Sequence, residues 1–269
     1  MNRRNGDAAH GDAAHGHRTS GGGTAGRDGP GAAPAPVVAL AVLAAAAYAT
    51  FLLEGVLSPE LDAANGYVSE LSAAGRPFRR VYGAGDVLTG ALAVLVALAA
   101  LHRLARRPLA TAGWAFLGLF GLGAIGGAVF PLDCATSLET RCALRERSGH
   151  VSFSHGFHAV TSSAVIVCWV AAMLLLALAA RRYGWWPALA RWGPPLALAQ
   201  LVLAPATLAA IYMGRGLGIA QRVQIGVLCL GLLVIARALH ADRTGARPAA
   251  PALARGGPDA ALAREAARS

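Results

Sequence analysis

The sequence predicts an all-α integral membrane protein, a bundle of six transmembrane helices with both termini in the cytoplasm. Three observations carry that expectation. The chain is 55% hydrophobic and only 14% charged over 269 residues, too apolar for an ordinary soluble domain. Its apolar residues fall into six blocks, 36–57, 81–101, 111–131, 153–180, 194–213 and 220–239, each close to the roughly 20 residues a helix needs to cross a hydrocarbon core. No block alternates as a membrane barrel strand would. The charges supply the orientation. All 24 basic residues are arginine, and with the termini inside, sixteen arginines and six acids lie on the cytoplasmic side against eight and eight outside. That is the positive-inside bias, and the short loops RLARRP and RRYGWWPALARW, which hold no acid, point the same way.

Taken in order, residues 1–35 form a hydrophilic tail with a direct repeat, GDAAHGDAAHGH, followed by TSGGGTAG and PGAAPAP. Such composition cannot bury a core and predicts disorder; His10, His15 and His17 read as solvated there. AAAAYA at 44–49 has the look of a signal-peptidase site, but the apolar run continues through FLLEGVL, which favours an uncleaved first span. Ser58, Pro59 and Glu60 read as a helix start, so the loop SPELDAANGYVSELSAAGRPFRR is expected to hold short surface helices. In the third span, Gly123 and Gly127 form a small-xxx-small pair for close helix packing. Cys134 and Cys142 share the outer loop DCATSLETRC and are expected to form a disulfide in an oxidising compartment; Cys168 and Cys229 lie within spans as packing residues. Trp185, Trp186 and Trp192 read as interfacial anchors. Pro205 is expected to kink the fifth span. Residues 241–269, rich in Ala, Arg and Pro, form a second disordered cytoplasmic tail, so the membrane domain is 36–240.

Residues 147–163, RSGHVSFSHGFHAVTSS, carry three histidines in nine positions. At about 100° per residue, His155, His158, Ser162 and Ser152 share one helical stripe, while His150 belongs to the preceding loop. Other spans bring ionisable groups to a similar depth: Glu54 near the outer end of span one, Asp86 with Thr89 on span two, Asp133 after span three, and Arg222 between Gln221 and Gln224 at the start of span six. A charge inside a span costs roughly 2.5–3.5 kcal/mol on insertion scales, so such groups turn inward and find partners. Glu54 or Asp86 is the expected partner of Arg222. The candidate cluster is therefore Glu54, Asp86, Asp133, His155, His158, Ser162 and Arg222.

Four short segments, SELSAAGRP at 69–77, FPLDC at 130–134, SFSHGFH at 152–158 and GLGIAQR at 216–222, resemble in order and position the bacterial membrane family catalogued as domain of unknown function 998. The resemblance spans roughly residues 38–240. It implies a six-span protein of the bacterial plasma membrane and assigns no activity.

Composition excludes a nucleic-acid role, because the arginines form no aromatic-interleaved basic face; their expected partners are anionic lipid headgroups of the bilayer. A homo-oligomer is left open. Three functional readings stand. The default is a structural or accessory membrane protein whose outward-facing polar cluster satisfies itself. The first alternative is a proton-linked small-molecule transporter or sensor using Asp86, Glu54 and the histidines. The second is a zinc-dependent intramembrane lipid hydrolase, by analogy with alkaline ceramidase and progestin-receptor proteins. His155 and His158 would then hold zinc with Asp86 or His150, and Glu54 or Asp133 would serve as general base. The analogy is weakened by six spans instead of seven and by the absence of a nucleophile motif around Ser152 and Ser162.

Overall fold

The computed structural model describes residues 31, 33–104 and 106–244. Most of the expected tails, residues 1–30 of the first and 245–269 of the second, lie outside the described residues, as do His10, His15 and His17. Among the described residues there is no strand, and six helices are long and apolar enough to cross a membrane. They are span 1 (Ala35–Leu57), span 2 (Arg79–Arg103), span 3 (Pro108–Val129), span 4 (Phe153–Tyr183), span 5 (Pro187–Met213) and span 6 (Leu217–Thr244). Each expected block falls within one of them or overruns it by at most two residues. The helices run further at several ends, because arginines and tryptophans at the interface continue a helix that hydropathy alone would stop. Span 6 passes residue 241 and reaches Thr244, so residues 241–244, expected in the second tail, are helical. Asp242 in that added turn accepts from the Trp186 indole N–H.

Each span packs on its neighbours in sequence, and span 1 also packs on span 6, so the six helices form a closed ring. Close approaches use missing side chains, as small-residue membrane packing requires. A Cβ on Gly90 of span 2 would strike the Gly121 backbone of span 3, and Gly121 faces Gly90 in return. Gly123 and Gly126 of span 3 receive Thr161 and Val165 of span 4, while Gly113 receives Leu176. Gly193 of span 5 lies against Met173 and Ala177. The expected pairing of Gly123 with Gly127 is thus shifted by one residue, to Gly123 with Gly126. Gly127 sits at the edge, near the His158 ring.

Two local expectations differ from the structure. Ser58 does not start a helix; it ends span 1, and the only helix in the loop that follows is the 3-10 turn Val68–Ser72. Trp185 and Trp186 are buried, with Trp186 set edge-on to Trp114 at a centroid distance of 5.6 Å and donating its indole N–H to Asp242. Only Trp192 of that trio is exposed. Aromatic rings at a span's end serve here as core because spans 3, 4 and 6 converge on them.

Span 5 begins at Pro187, so Pro194 and Pro195 as well as Pro205 fall inside it, and the helix is continuous through all three. Pro194 leaves the carbonyl of Ala190 without its helical donor. That carbonyl accepts instead from Arg181 Nε of span 4 at 3.2 Å. The end of the ring carrying the loops 58–78 and 130–152 is called the loop end below.

Candidate functional site

The polar residues gather at the loop end, but in two groups with different chemistry. The first is a layer of paired charges. Arg222 makes a two-pronged contact with Glu54, Nε donating to Oε1 at 2.6 Å and Nη2 to Oε2 at 2.5 Å. Its remaining nitrogen, Nη1, donates to the carbonyls of Gly66 at 3.1 Å and Gly218 at 2.9 Å. Both side chains are about 15% exposed or less. The expectation left Glu54 and Asp86 as alternatives, and Glu54 is the partner. The pair therefore joins span 1 to span 6 and closes the ring.

The loop after span 1 is tied to the start of span 6 by further bonds. Val68 N–H donates to Gln221 Oε1 at 2.8 Å, Gly216 N–H to Asn65 Oδ1 at 2.8 Å, and Ile219 N–H to the Ala64 carbonyl at 3.2 Å. Glu70, which the candidate cluster omitted, is fully buried in this loop. Its carboxylate accepts from Tyr67 N–H at 3.1 Å, Thr136 Oγ1 at 3.0 Å, Ser137 N–H at 2.7 Å and the Ser137 hydroxyl. Four donors suffice to hold a buried carboxylate. The available signal was its place in SELSAAGRP opposite the hydroxyls of CATS; a 3-10 turn has no periodicity by which to find it. Ala74 N–H adds a bond to the Leu132 carbonyl at 2.8 Å.

Asp133 caps span 4 from outside. It accepts from the Ser152 hydroxyl and from Ser152 N–H at 2.8 Å, while Ser152 Oγ accepts from His155 N–H at 3.2 Å. Burial pushes its carboxyl up, but the Ser152 hydrogen bonds, with His155 and Arg145 nearby, hold it below the usual carboxylate range. Cys134 and Cys142 are joined as a disulfide that spans eight positions of the same loop, with Cα atoms 6.0 Å apart.

The histidines do not form a metal centre with Asp86. His155 Nδ1 accepts from Asp133 N–H at 3.2 Å, and its Nε2 lies 3.6 Å from Glu146 Oε1. His158 turns the other way, its Nδ1 at 2.8 Å from the Phe130 carbonyl and 3.1 Å from that of Gly127. Carbonyls only accept, so Nδ1 carries the proton and, in the neutral ring, Nε2 is left as the acceptor. Residues one turn apart on a stripe share a face, yet the loop before span 4 captures one ring and span 3 the other. Among the described residues, no group of three or more His, Cys, Asp or Glu side chains is placed to hold a metal ion. His150 lies outside the cluster, exposed and bonded to Ser148 Oγ.

The second group lines a cavity of about 160 Å³ inside the ring, beneath the loops. Asp86 of span 2, His158 and Ser162 of span 4, and Gln221 and Gln224 of span 6 face it, with Tyr48 and Thr50 of span 1. Ser69 and Ser72 roof it from the 3-10 turn. Thr89, on the face of Asp86, is occupied by the carbonyls of Gly85 and Ala44. Asp86 itself makes no hydrogen bond or ion pair with any described residue.

A ring of six helices, each apolar over a membrane-spanning length with its charges gathered toward the two ends, defines an α-helical multi-span membrane protein. The sequence profile of the family described as proteins of unknown function, DUF998, matches residues 38–238, and the chain belongs to that family. Neither the curated proteins nor the solved structures yielded a match.

Two outcomes follow from the paired layer. Arg222→Ala should lower stability in mild detergent by about 3–5 kcal/mol, because it strands the Glu54 charge, whereas the double change Glu54→Leu with Arg222→Leu should cost less than either single change. Thermal unfolding of the three variants checks this; equal losses in all three would contradict it. Asp133, with a lowered pKa, stabilises the fold above the ordinary carboxylate range and loses that contribution as pH falls through its depressed value. Asp133→Asn should therefore cost about 1.5 kcal/mol at neutral pH and flatten the acid limb of a stability–pH curve below about pH 4.

Proposed function

We propose that the protein binds a small cationic ligand, in competition with protons, in the cavity at the loop end, and acts as a transporter or sensor for it. One observation carries the reading. Glu54, Glu70 and Asp133 are each neutralised or fully hydrogen-bonded, whereas Asp86 faces the cavity with no partner among the described residues. An ionised carboxylate left alone inside a span is expensive, so a cation in the cavity supplies what the fold withholds. The groups around it are acceptors or neutral. His158 offers a nitrogen lone pair in the neutral ring, Ser69, Ser72 and Ser162 offer hydroxyls, and Tyr48 and Tyr82 offer aromatic faces with which cations also associate. Arg222, at the same end of the ring, is already taken up by Glu54 and two carbonyls. The volume exceeds by tenfold the ~15 Å³ that one water requires, room for a small ammonium ion with a few waters.

The structural reading retains the paired layer: Glu54, Arg222, Glu70 and Asp133 hold the loops and helix ends together. The zinc hydrolase reading finds no ligand set among the described residues. We place the protein in the bacterial plasma membrane with the loop end outward and the termini in the cytoplasm. Support comes from the arginine bias and from a disulfide that belongs in an oxidising compartment. Ser148→Cys, made in a Cys168→Ala, Cys229→Ala background, should react with an impermeant maleimide added to intact cells; labelling only after lysis would reverse the orientation.

The ligand reading is tested with methylammonium on protein in mild detergent. Wild type should show a saturable rise in stability, about 2.7 kcal/mol at a hundredfold excess over Kd. Asp86→Asn should abolish the rise while leaving the unliganded protein as stable as wild type or more so, since no partner is lost. A rise that persists in Asp86→Asn would sink the assignment.

A further inference from the structure

The geometry points to a lateral doorway between the loop-end halves of spans 4 and 5, through which the cavity admits the ammonium head of an alkyl-chain amphiphile whose tail stays in the bilayer. This rests on the cation-binding reading above and names the class of ligand.

The walls of the cavity come from spans 1, 2, 3, 4 and 6 and from the 3-10 turn; none of its lining residues belongs to span 5. Yet span 5 is the ring member between spans 4 and 6. Its contacts explain the omission. Toward the far end, Gly193 is seated against Met173 and Ala177 of span 4, and Arg181 reaches the Ala190 carbonyl. Toward the loop end, its polar bonds go to span 6 alone. Gln200 Nε2 donates to the Gln224 carbonyl at 2.6 Å, and Thr207 Oγ1 donates to Gln224 Oε1 at 3.3 Å. Ile211, about five turns on from Gly193 and so on the same face of span 5, is exposed, which leaves the flank of span 4 uncovered at this depth.

Ser162 marks the gap. It lines the cavity and is also exposed, one helical turn from buried His158. Exposed Ala159 and Ser163, about 60° and 100° around span 4 from Ser162, carry that exposure out to the surface of the bundle. That surface lies within a span and is flanked by exposed Leu208 and Ile211 on span 5. Hydrocarbon is its solvent, and a ligand arriving there must be apolar over most of its length. Inside, the same ligand meets the Asp86 carboxylate and the acceptors around it. An acceptor-rich chamber behind an apolar doorway selects a cationic head on an alkyl tail. A dodecyl chain is too long to be enclosed by about 160 Å³, so its tail must remain in the doorway and the lipid.

The experiment compares methylammonium with dodecylammonium on protein in lipid nanodiscs, using wild type, Asp86→Asn and Ala159→Trp, a change on the flank of span 4 outside the cavity lining. Both cations should stabilise wild type and compete with one another, and Asp86→Asn should abolish both responses. Ala159→Trp should weaken dodecylammonium binding at least tenfold and leave methylammonium within about twofold, which also reports that the variant is folded. Ala159→Leu replaces it if the tryptophan variant does not fold. Methylammonium binding without competition from dodecylammonium would overturn the doorway and leave the cation site intact. So would dodecylammonium binding that is indifferent to both Ala159 variants. No response to either cation in wild type would remove the cation site, and the doorway with it.

Discussion

The contact between Arg222 and Glu54 is the constraint on which the loop end depends. Two ions held at this depth lose hydration, and their attraction offsets that loss only if geometry is good and every remaining donor is met. The carboxylate meets two guanidinium nitrogens; the third must find acceptors elsewhere. It finds Gly218 one turn back on its own helix and Gly66 in the loop after span 1. The loop must therefore lie directly on span 6. Position 218 has to be glycine for this, because a Cβ there would collide with the carbonyls of Ala63 and Gly66 and with Arg222 itself. GLGIAQR thus reads as a docking surface: glycine for approach, Gln221 to cap the backbone of Val68, arginine to close the ring.

Once the loop is fixed on span 6, the rest of the layer follows. Its 3-10 turn carries Glu70 to the far side of the ring mouth, where the backbone and hydroxyls after Cys134 surround it. The second loop is anchored in turn by Asp133, which caps span 4 through Ser152. All four segments that carry the family resemblance meet in this one layer, and a reason appears for their being short and scattered. They are the points where two loops and three helix ends exchange hydrogen bonds, while the apolar residues between them need only be apolar and of suitable size. The layer roofs a chamber without filling it.

Most of the fold was legible in the sequence, since hydrocarbon length and charge placement are one-dimensional signals. Depth was legible too: Glu54, Asp86, His158, Ser162 and Arg222 do lie toward one end. Azimuth was not. Glu54 and Asp86 sit at comparable depth on adjacent helices, and only the packing of span 1 on span 6 decides that Glu54 meets the arginine. The helical stripe through His155 and His158 was sound geometry with the wrong inference, because neighbours on either side capture one ring each. Glu70 escaped notice for a different reason: a buried acid in an irregular loop is recognisable only through donors 66 residues away. Trp186 was misplaced because an interfacial aromatic and a core aromatic at a helix end have the same sequence context.

Span 5 brings these threads together. It is the least buried of the six, with 17% of its apolar window enclosed against 50% for span 4, and it holds all three prolines found inside helices. A ring that is tied tightly at five seams and loosely at one concentrates its freedom of movement at that seam. Interlocked glycines, the Gln200 and Thr207 bonds to span 6 or the Glu54–Arg222 pair tie the other seams and the far half of this one; the loose part is the loop-end half of the boundary between spans 4 and 5, where none of these is found among the described residues. Asp86, the one carboxylate inside a span that has no partner among the described residues, lies in the chamber behind that boundary. Were the polar cluster purely structural, the unpaired group would be expected where the bundle is most firmly packed, with its charge suppressed by burial. Its position in a hydratable cavity beside the least constrained wall is what a site built to exchange ligand requires, because entry needs a wall that yields and binding needs a charge that waits.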